Sequence, residues 1–333
     1  MSARAADIVD FLARAGWGDA ERRPLPSDAS FRRYERLVRG PRTAMLMDAP
    51  PPKEDVRPFL AVARWLHGRG FSAPAVLAAD EARGLLVIED LGDATYTREL
   101  ARGADEAALY AQAIDALVAL HRRADAPAAP VPTYDDVRLL AEAALLLDWF
   151  LPAMTGGPVA PAARTAYEDA WRRAFAVARR VPNTLVLRDY HVDNLMVVAD
   201  RMGTAACGLL DFQDAVIGPV SYDLVSLLED ARRDVPPGIV AAMRARYLAA
   251  FPALDPAALD ASYAVLGAQR NAKIVGIFTR LDRRDGKPRY LAHIPRVWRL
   301  LEGDLRHPAL ADVRAWFDAH VPPALRRAPE AAR

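Results

Sequence analysis

The sequence predicts an α+β protein of two lobes, a small β-rich N-lobe over residues 1–91 and a larger, mostly helical C-lobe over residues 92–333. Three observations predict it. Strand-like runs alternate with helical ones up to about residue 90, helical periodicity dominates the remainder, and Glu89 to Gly92 forms a hinge-like break between the two patterns. A chain of 333 residues, 52% hydrophobic and 26% charged, is long and apolar enough for two lobes with a sizeable core.

Residues 3–15 place Ile8, Val9, Phe11 and Leu12 at helical spacing, with Gly16 and Gly18 as stops. A small polar turn, Ser27 to Ser30, precedes two strand-like runs, 31–38 and 43–47, joined around Gly40-Pro41 as a hairpin. Residues 55–69 read as a helix with Val56, Phe59, Leu60, Val62, Ala63 and Leu66 on one face. Strands follow at 75–79 and 85–89. A long amphipathic helix is expected over 105–121, an Ala- and Pro-rich connector over 122–134, and helices at about 135–150 and 161–180. Apolar runs at 185–187, 195–198 and 208–210 carry polar loops, and helices are expected at about 221–232, 238–250, 256–280, 295–304 and 309–319.

Composition excludes several classes. Lys+Arg 44 against Asp+Glu 43 leaves a net charge of +1, so no global field argues for nucleic acid or an anionic membrane. The single cysteine, Cys207, rules out an internal disulfide and a Cys-rich zinc site. No window approaches the roughly 18 apolar residues of a membrane span, and the N-terminus lacks a secretory core. The cytoplasm is the expected compartment, and no obligate protein partner is evident.

The chemistry concentrates at 185–214. Arg188-Asp189 is followed by Asn194, and after a hairpin around Asp200 to Gly203 by Asp211-Phe212. That is the order of a phosphoryl-transfer catalytic loop and metal loop. Phosphoryl transfer needs an acceptor hydroxyl, a γ-phosphate and Mg²⁺ held in line, with little covalent work from the protein. Asp189 suits the role of base. The Asn194 amide oxygen and the Asp211 carboxylate form a hard-oxygen pair for Mg²⁺. Either motif alone would fit residues capping strand ends and turns; together they favour chemistry. His191 and Asp193 as zinc ligands fit less well, because no further His or Cys lies nearby.

The chain resembles the aminoglycoside phosphotransferase-like kinases, a small-molecule branch of the protein-kinase-like fold. Within that branch, Arg188-Asp189-Tyr190-His191-x-x-Asn194-Leu195-Met196, the block from Leu210 to Arg232, and Gln269-Arg270-Asn271-x-Lys273-x-x-Gly276 are similar to the AmgK group of cell-wall sugar kinases. So are Ser27 to Tyr34 and Met45 to Pro50. That group phosphorylates the anomeric hydroxyl of N-acetylmuramate and N-acetylglucosamine in peptidoglycan recycling. The resemblance implies a bilobal protein-kinase-like fold, ATP and Mg²⁺ as cofactors, and a small-molecule sugar as acceptor. It implies adenine at the hinge on backbone groups near Glu89 and Leu91, and Asp223 and Arg188 as supports of the catalytic loop.

Departures from the pattern matter. Leu187 replaces the His before Arg-Asp, and Gln213 replaces the Gly after Asp-Phe. The small-lobe strand carries Met47 where the phosphate-pairing Lys belongs, and the next helix has no interior Glu to pair with it. Arg32 and Arg33, beside Ser30, are the candidate substitutes, or else solvated strand arginines. Tyr190, His191, Asp214, Glu229 and Arg232 are candidates to face the sugar, with Arg270 and Lys273 suited to a lactyl carboxylate because i and i+3 share a helix face. A solvated basic helix face is the other reading of that pair. Trp149 and Phe150 are either core or a ring-stacking pair. An aminoglycoside kinase remains an alternative, as does a nucleotide-binding pseudokinase motivated by the missing Lys.

Overall fold

The computed structural model describes residues 3–26 and 31–332. The chain divides into two units, Met1–Ala116 with Ala129–Val131 and Val192–Ala215, and Leu117–Ala128 with Pro132–His191 and Val216–Arg333. Residues 92–116 and 192–215, which the sequence alone groups with the helical lobe, fall in the first unit.

In the first unit, α1 (Ala3–Arg14) is followed by β1 (Glu21–Pro24), β2 (Arg33–Arg39), β3 (Arg42–Asp48), α2 (Arg57–His67), β4 (Val76–Asp80) and β5 (Leu85–Ile88). The five strands form one antiparallel sheet in the order β1-β2-β3-β5-β4. Alternation along the strands gives the sheet two faces. Leu37, Ala44, Leu46, Leu85 and Val87 pack on Ile8, Phe11 and Leu12 of α1 and on Trp17. Tyr34, Met47 and Leu86 stand side by side on the other face, as do Arg36, Met45 and Ile88. β1 was not legible in the sequence, since all four of its residues are exposed and it lacks any apolar alternation. It is an edge strand held partly by the Arg22–Glu35 ion pair at 2.6 Å.

Beyond the sheet come α3 (Tyr96–Ala101) and α4 (Glu106–His121), then α5 (Asp136–Ala143), α6 (Leu151–Thr155), α7 (Pro161–Ala178) and β6 (Asn183–Val186). A hairpin, β7 (Leu195–Val197) and β8 (Cys207–Leu209), belongs to the first unit. It is tied there by Leu209 N–H on Ser72 O at 2.9 Å, Val197 N–H on Ala94 O at 2.8 Å, and Arg201 on Ser72 Oγ at 2.8 Å.

The second unit continues with β9 (Val216–Pro219), paired antiparallel with β6, and with α8 (Ser221–Leu228), α9 (Pro237–Ala250), α10 (Pro256–Arg283), α11 (Ile294–Asp304) and α12 (Ala311–His320). At 28 residues α10 is about 42 Å long, and most of it from Leu259 to Asp282 is buried. The single helix expected over 135–150 is divided. α5 ends at Ala143 and Leu146–Phe150 form a π-helical turn, where the backbone widens. Gly276 of α10 lies against the Leu145 carbonyl with no room for a Cβ, so helix and turn meet backbone to backbone. Phe150 is core, its ring 5.4 Å from that of Trp298, which leaves it no face for a sugar. No helix among the described residues is long and apolar enough to cross a membrane.

Candidate active site

In the first unit, the β7–β8 hairpin aligns the two residues expected to hold metal. Asn194 precedes β7, Asp211 follows β8, and the Leu210 N–H donates to the Asn194 carbonyl at 3.0 Å. Their side chains meet, with Asn194 Nδ2 3.5 Å from Asp211 Oδ2. Asp211 has φ 57°, a left-handed backbone that an L-residue adopts at a cost and that recurs at functional sites. Among the described residues, three donors face its carboxylate. Besides Asn194, Gln213 Nε2 lies 3.0 Å and Arg32 Nη2 3.4 Å from Oδ1. Phe212 is buried and stacks on Phe59 of α2, with centroids 5.1 Å apart.

This oxygen pair fits Mg²⁺. Among the described residues no group of three or more His, Cys, Asp or Glu gathers to cage a metal. Two protein oxygens with open positions for water and phosphate is how that ion is usually held. The amide of Asn194 would turn its oxygen toward the ion, because its NH₂ now faces Asp211.

A cavity of about 320 Å³ runs from the hinge to this pair, lined by Tyr34, Arg36, Met45, Ile88, Glu89, Leu91 and Met196, and by Asn194 and Asp211 at its far end. The Glu89 N–H donates to Ala75 O at 2.8 Å, and its carboxylate takes Arg201, so this residue is committed to the sheet and to the hairpin. Arg36 is a contributor that the sequence did not reveal. It bonds Asp90 at 2.7 Å, Asp93 at 2.8 Å and the Gly92 carbonyl at 3.2 Å, bracing the hinge from β2. Ser30 lies outside the described residues. Arg33 is exposed, because alternation turns it away from the face that carries Tyr34.

In the second unit, β6 ends at Val186 and the chain turns sharply at Arg188, φ 70°. Asp223 of α8 holds that turn. Its two carboxylate oxygens accept the N–H groups of Leu187 at 2.6 Å and Arg188 at 2.8 Å. Burial pushes Asp223 up to about 7 against those two bonds. Glu142 of α5, absent from the sequence reading, is the hub of the opposite side. It pairs with Arg188, accepts the Tyr134 hydroxyl, and lies 3.3 Å from both Lys273 Nζ and Gln269 Nε2. A lone acid in the Ala- and Leu-rich stretch 139–147 was the available signal.

Asp189 is half-buried in this basic surround. Burial alone would raise its carboxyl, but Lys273, His191, Arg270 and Arg188 outweigh it and hold the group below the usual carboxylate range. The lasting contributions are those of Lys273, Arg270 and Arg188, since burial and Arg232 lower the His191 imidazole and keep it neutral near pH 7. Arg232 Nη1 lies 3.4 Å from His191 Nε2. Arg270 is 5% exposed and reaches the Glu229 carbonyl at 3.4 Å.

Other expected acceptor contacts are placed differently. Tyr190 is 2% exposed and enclosed, and Asp214 is exposed, 3.2 Å from Gln213 Nε2. α8 ends at Leu228 and not at Arg232, which turns Glu229 inward. Its Oε2 accepts Asn271 Nδ2 at 2.8 Å, and the same amide bonds Asp304 Oδ2 at 3.1 Å. Burial raises both carboxyls, and the neighbouring Glu229 raises Asp304 further. Glu229 meets the Asp189 surround through its carbonyl, which accepts Arg270.

The chain matches the model of the "Phosphotransferase enzyme family" over residues 21–261. It is 42% identical over 360 aligned positions to an N-acetylmuramate/N-acetylglucosamine kinase of Caulobacter vibrioides, covering 98% of this chain and 99% of that one. A kinase of the same name from Pseudomonas aeruginosa is 41% identical over 318 positions, covering 92% and 91%. Among solved structures, the ADP-bound aminoglycoside phosphotransferase APH(2'')-Ib superposes with a TM-score of 0.59 at 16% identity, covering 89% of this chain and 97% of that one. This likeness is one of fold, protein-kinase-like.

Proposed function

The chain belongs to the phosphotransferase enzyme family, and on that premise we propose that it transfers the γ-phosphoryl group of ATP to the anomeric hydroxyl of N-acetylmuramate or N-acetylglucosamine. The observation that carries the choice of acceptor is the set of cations around Asp189. Arg270, Lys273 and Arg232 form a basic surround that suits a carboxylate-bearing or neutral sugar and opposes a polycationic drug. N-acetylmuramate and N-acetylglucosamine are the acceptors that the relatives' names print, and a kinase of this kind would serve peptidoglycan recycling.

The roles follow from the chemistry of each group. Asp189, held ionised, accepts the proton of the acceptor hydroxyl as that oxygen bonds to the γ-phosphorus. The bond from phosphorus to the β,γ-bridging oxygen breaks in the same displacement, and its electron pair leaves with ADP. Asn194 and Asp211 would hold Mg²⁺, which when bound neutralises phosphate charge. Arg270 receives the lactyl carboxylate of N-acetylmuramate. Asp223 fixes the backbone of the loop that presents Asp189.

The test incubates the protein with ATP, Mg²⁺ and a panel of N-acetylmuramate, N-acetylglucosamine and aminoglycosides, with Asp189→Asn as control. Sugar-1-phosphate is expected from the wild type, with a loss of about 10²–10⁴-fold in the control. Turnover of aminoglycosides alone would select the drug-modifying alternative. Nucleotide binding with no turnover of any acceptor would make the protein a pseudokinase.

A further inference from the structure

We infer that Arg32, positioned by Glu54, is the cation that binds the inner phosphates of the nucleotide in this chain, in place of a small-lobe lysine. The inference rests on the kinase reading above and adds residues to it. Met47, at the strand position a lysine would occupy, is 1% exposed and lies directly opposite Tyr34. It supplies no charge, so the α- and β-phosphates need another donor.

The chain entering β2 offers one. Tyr34 and Arg36 of β2 both line the 320 Å³ cavity, and Arg32, just ahead of the strand, reaches Asp211, which lines the cavity as well. Arg36 is held at the hinge by Asp90 and Asp93, and Arg32 stands 3.4 Å from Asp211.

Glu54 supplies the orientation. Its Oε1 accepts the Phe31 N–H at 3.2 Å, which fixes the carboxylate to the backbone beside Arg32. Its Oε2 faces Arg32 Nε at 3.6 Å. Glu54 on the Nε side and Asp211 at Nη2 set the guanidinium between two carboxylates, so a phosphate arriving beside Asp211 would meet a cation already oriented, with a planar fork that a lysine ammonium lacks. The arginine side chain is only 13% exposed, so it is already largely withdrawn from water before any ligand arrives. Glu54 lies just ahead of α2, which explains why no acid inside that helix was needed as a partner.

Calorimetric titration with adenosine and with ADP, both in EDTA, separates base binding from phosphate binding without the metal. Arg32→Met is expected to weaken ADP about tenfold or more while leaving adenosine unchanged. Arg32→Lys should recover part of the loss, and Glu54→Gln should weaken ADP several-fold with adenosine again unaffected. An Arg32→Met protein that keeps the wild-type ratio of ADP to adenosine affinity would overturn the role of Arg32. A Glu54→Gln protein with wild-type ADP affinity would overturn the positioning role. Failure of the wild type to bind either ligand would instead remove the nucleotide reading of the cavity, and the inference with it.

Discussion

Asp223 Oδ1 accepts the backbone N–H of Arg188 at 2.8 Å, at the residue whose φ of 70° starts the loop carrying Asp189. A buried carboxylate thus stabilises a backbone conformation that Arg188 would not choose unaided. The neighbouring bond from Leu187 N–H to Oδ2, at 2.6 Å, completes a two-pronged brace.

Asp223→Ala should leave both N–H groups buried and unsatisfied, at about 1–3 kcal/mol each. The expected outcome is a lower denaturation midpoint in urea and a fall in kcat larger than any change in KM for ATP. Retention of wild-type kcat would show that the brace does not govern the loop.

The pH dependence of stability has a definite sign. A free Asp titrates near 3.9, whereas Asp223 in the folded chain titrates at about 7. Between those values the folded protein keeps a proton that the unfolded chain releases. The contribution is complete below about pH 4 and is lost as pH rises through 7. Urea midpoints for wild type and Asp223→Asn, measured from about pH 5 to 8, should therefore show the wild type losing ground to the variant as pH rises. A constant difference across that window would contradict the raised value.

Glu142→Gln should be more damaging than any surface charge change. It leaves Arg188 and Lys273 without their shared carboxylate in a largely buried setting, a loss of about 3–5 kcal/mol. Arg172→Ala, which breaks the exposed i,i+4 pair with Glu168 at 3.1 Å, should cost about 0.5 kcal/mol. Thermal and urea unfolding of the two variants side by side gives the comparison.

Arg270→Ala should discriminate between acceptors. If the guanidinium receives the lactyl carboxylate, KM for N-acetylmuramate rises about tenfold or more while KM for N-acetylglucosamine, which lacks that group, moves little. The variant also removes one of the cations that depress Asp189, so the acid limb of kcat/KM should move to higher pH. Equal effects on both sugars would place Arg270 outside the recognition of the carboxylate.

Asp189, Asn194 and Asp211 could be nominated from the sequence because each sits in a polar loop beside an apolar strand and their spacing is set by local turns. Glu142 was out of reach. It lies 46 residues before Arg188 and joins it only when α5 packs beside the loop. Arg36, Asp90 and Asp93 were visible as charges, but their pairing depends on strand register across the sheet. Main elements such as α1, α2, α7 and α10 were legible from periodicity, whereas β1 is an exposed edge with no period to read. The division of 135–150 falls where Gly276, on a helix more than a hundred residues away in sequence, meets the Leu145 backbone, a contact that no local pattern announces. Glu229 was misjudged for a similar reason: the early end of α8 decides which way its carboxyl points.

The stacking of Phe212 on Phe59 bears on ligand discovery. Turning the Asp211 loop inside out would strip a fully buried ring from its partner on α2 and break the Gln213 contact to Asp211 at 3.0 Å. Removing one aromatic side chain from its packing costs roughly 2–3 kcal/mol before any compensating contact forms. Compounds that require an inverted loop would start from that deficit. Screens aimed at this protein are better served by scaffolds shaped to the cavity as it stands, with an anionic or hydrogen-bond-accepting group directed toward Arg32.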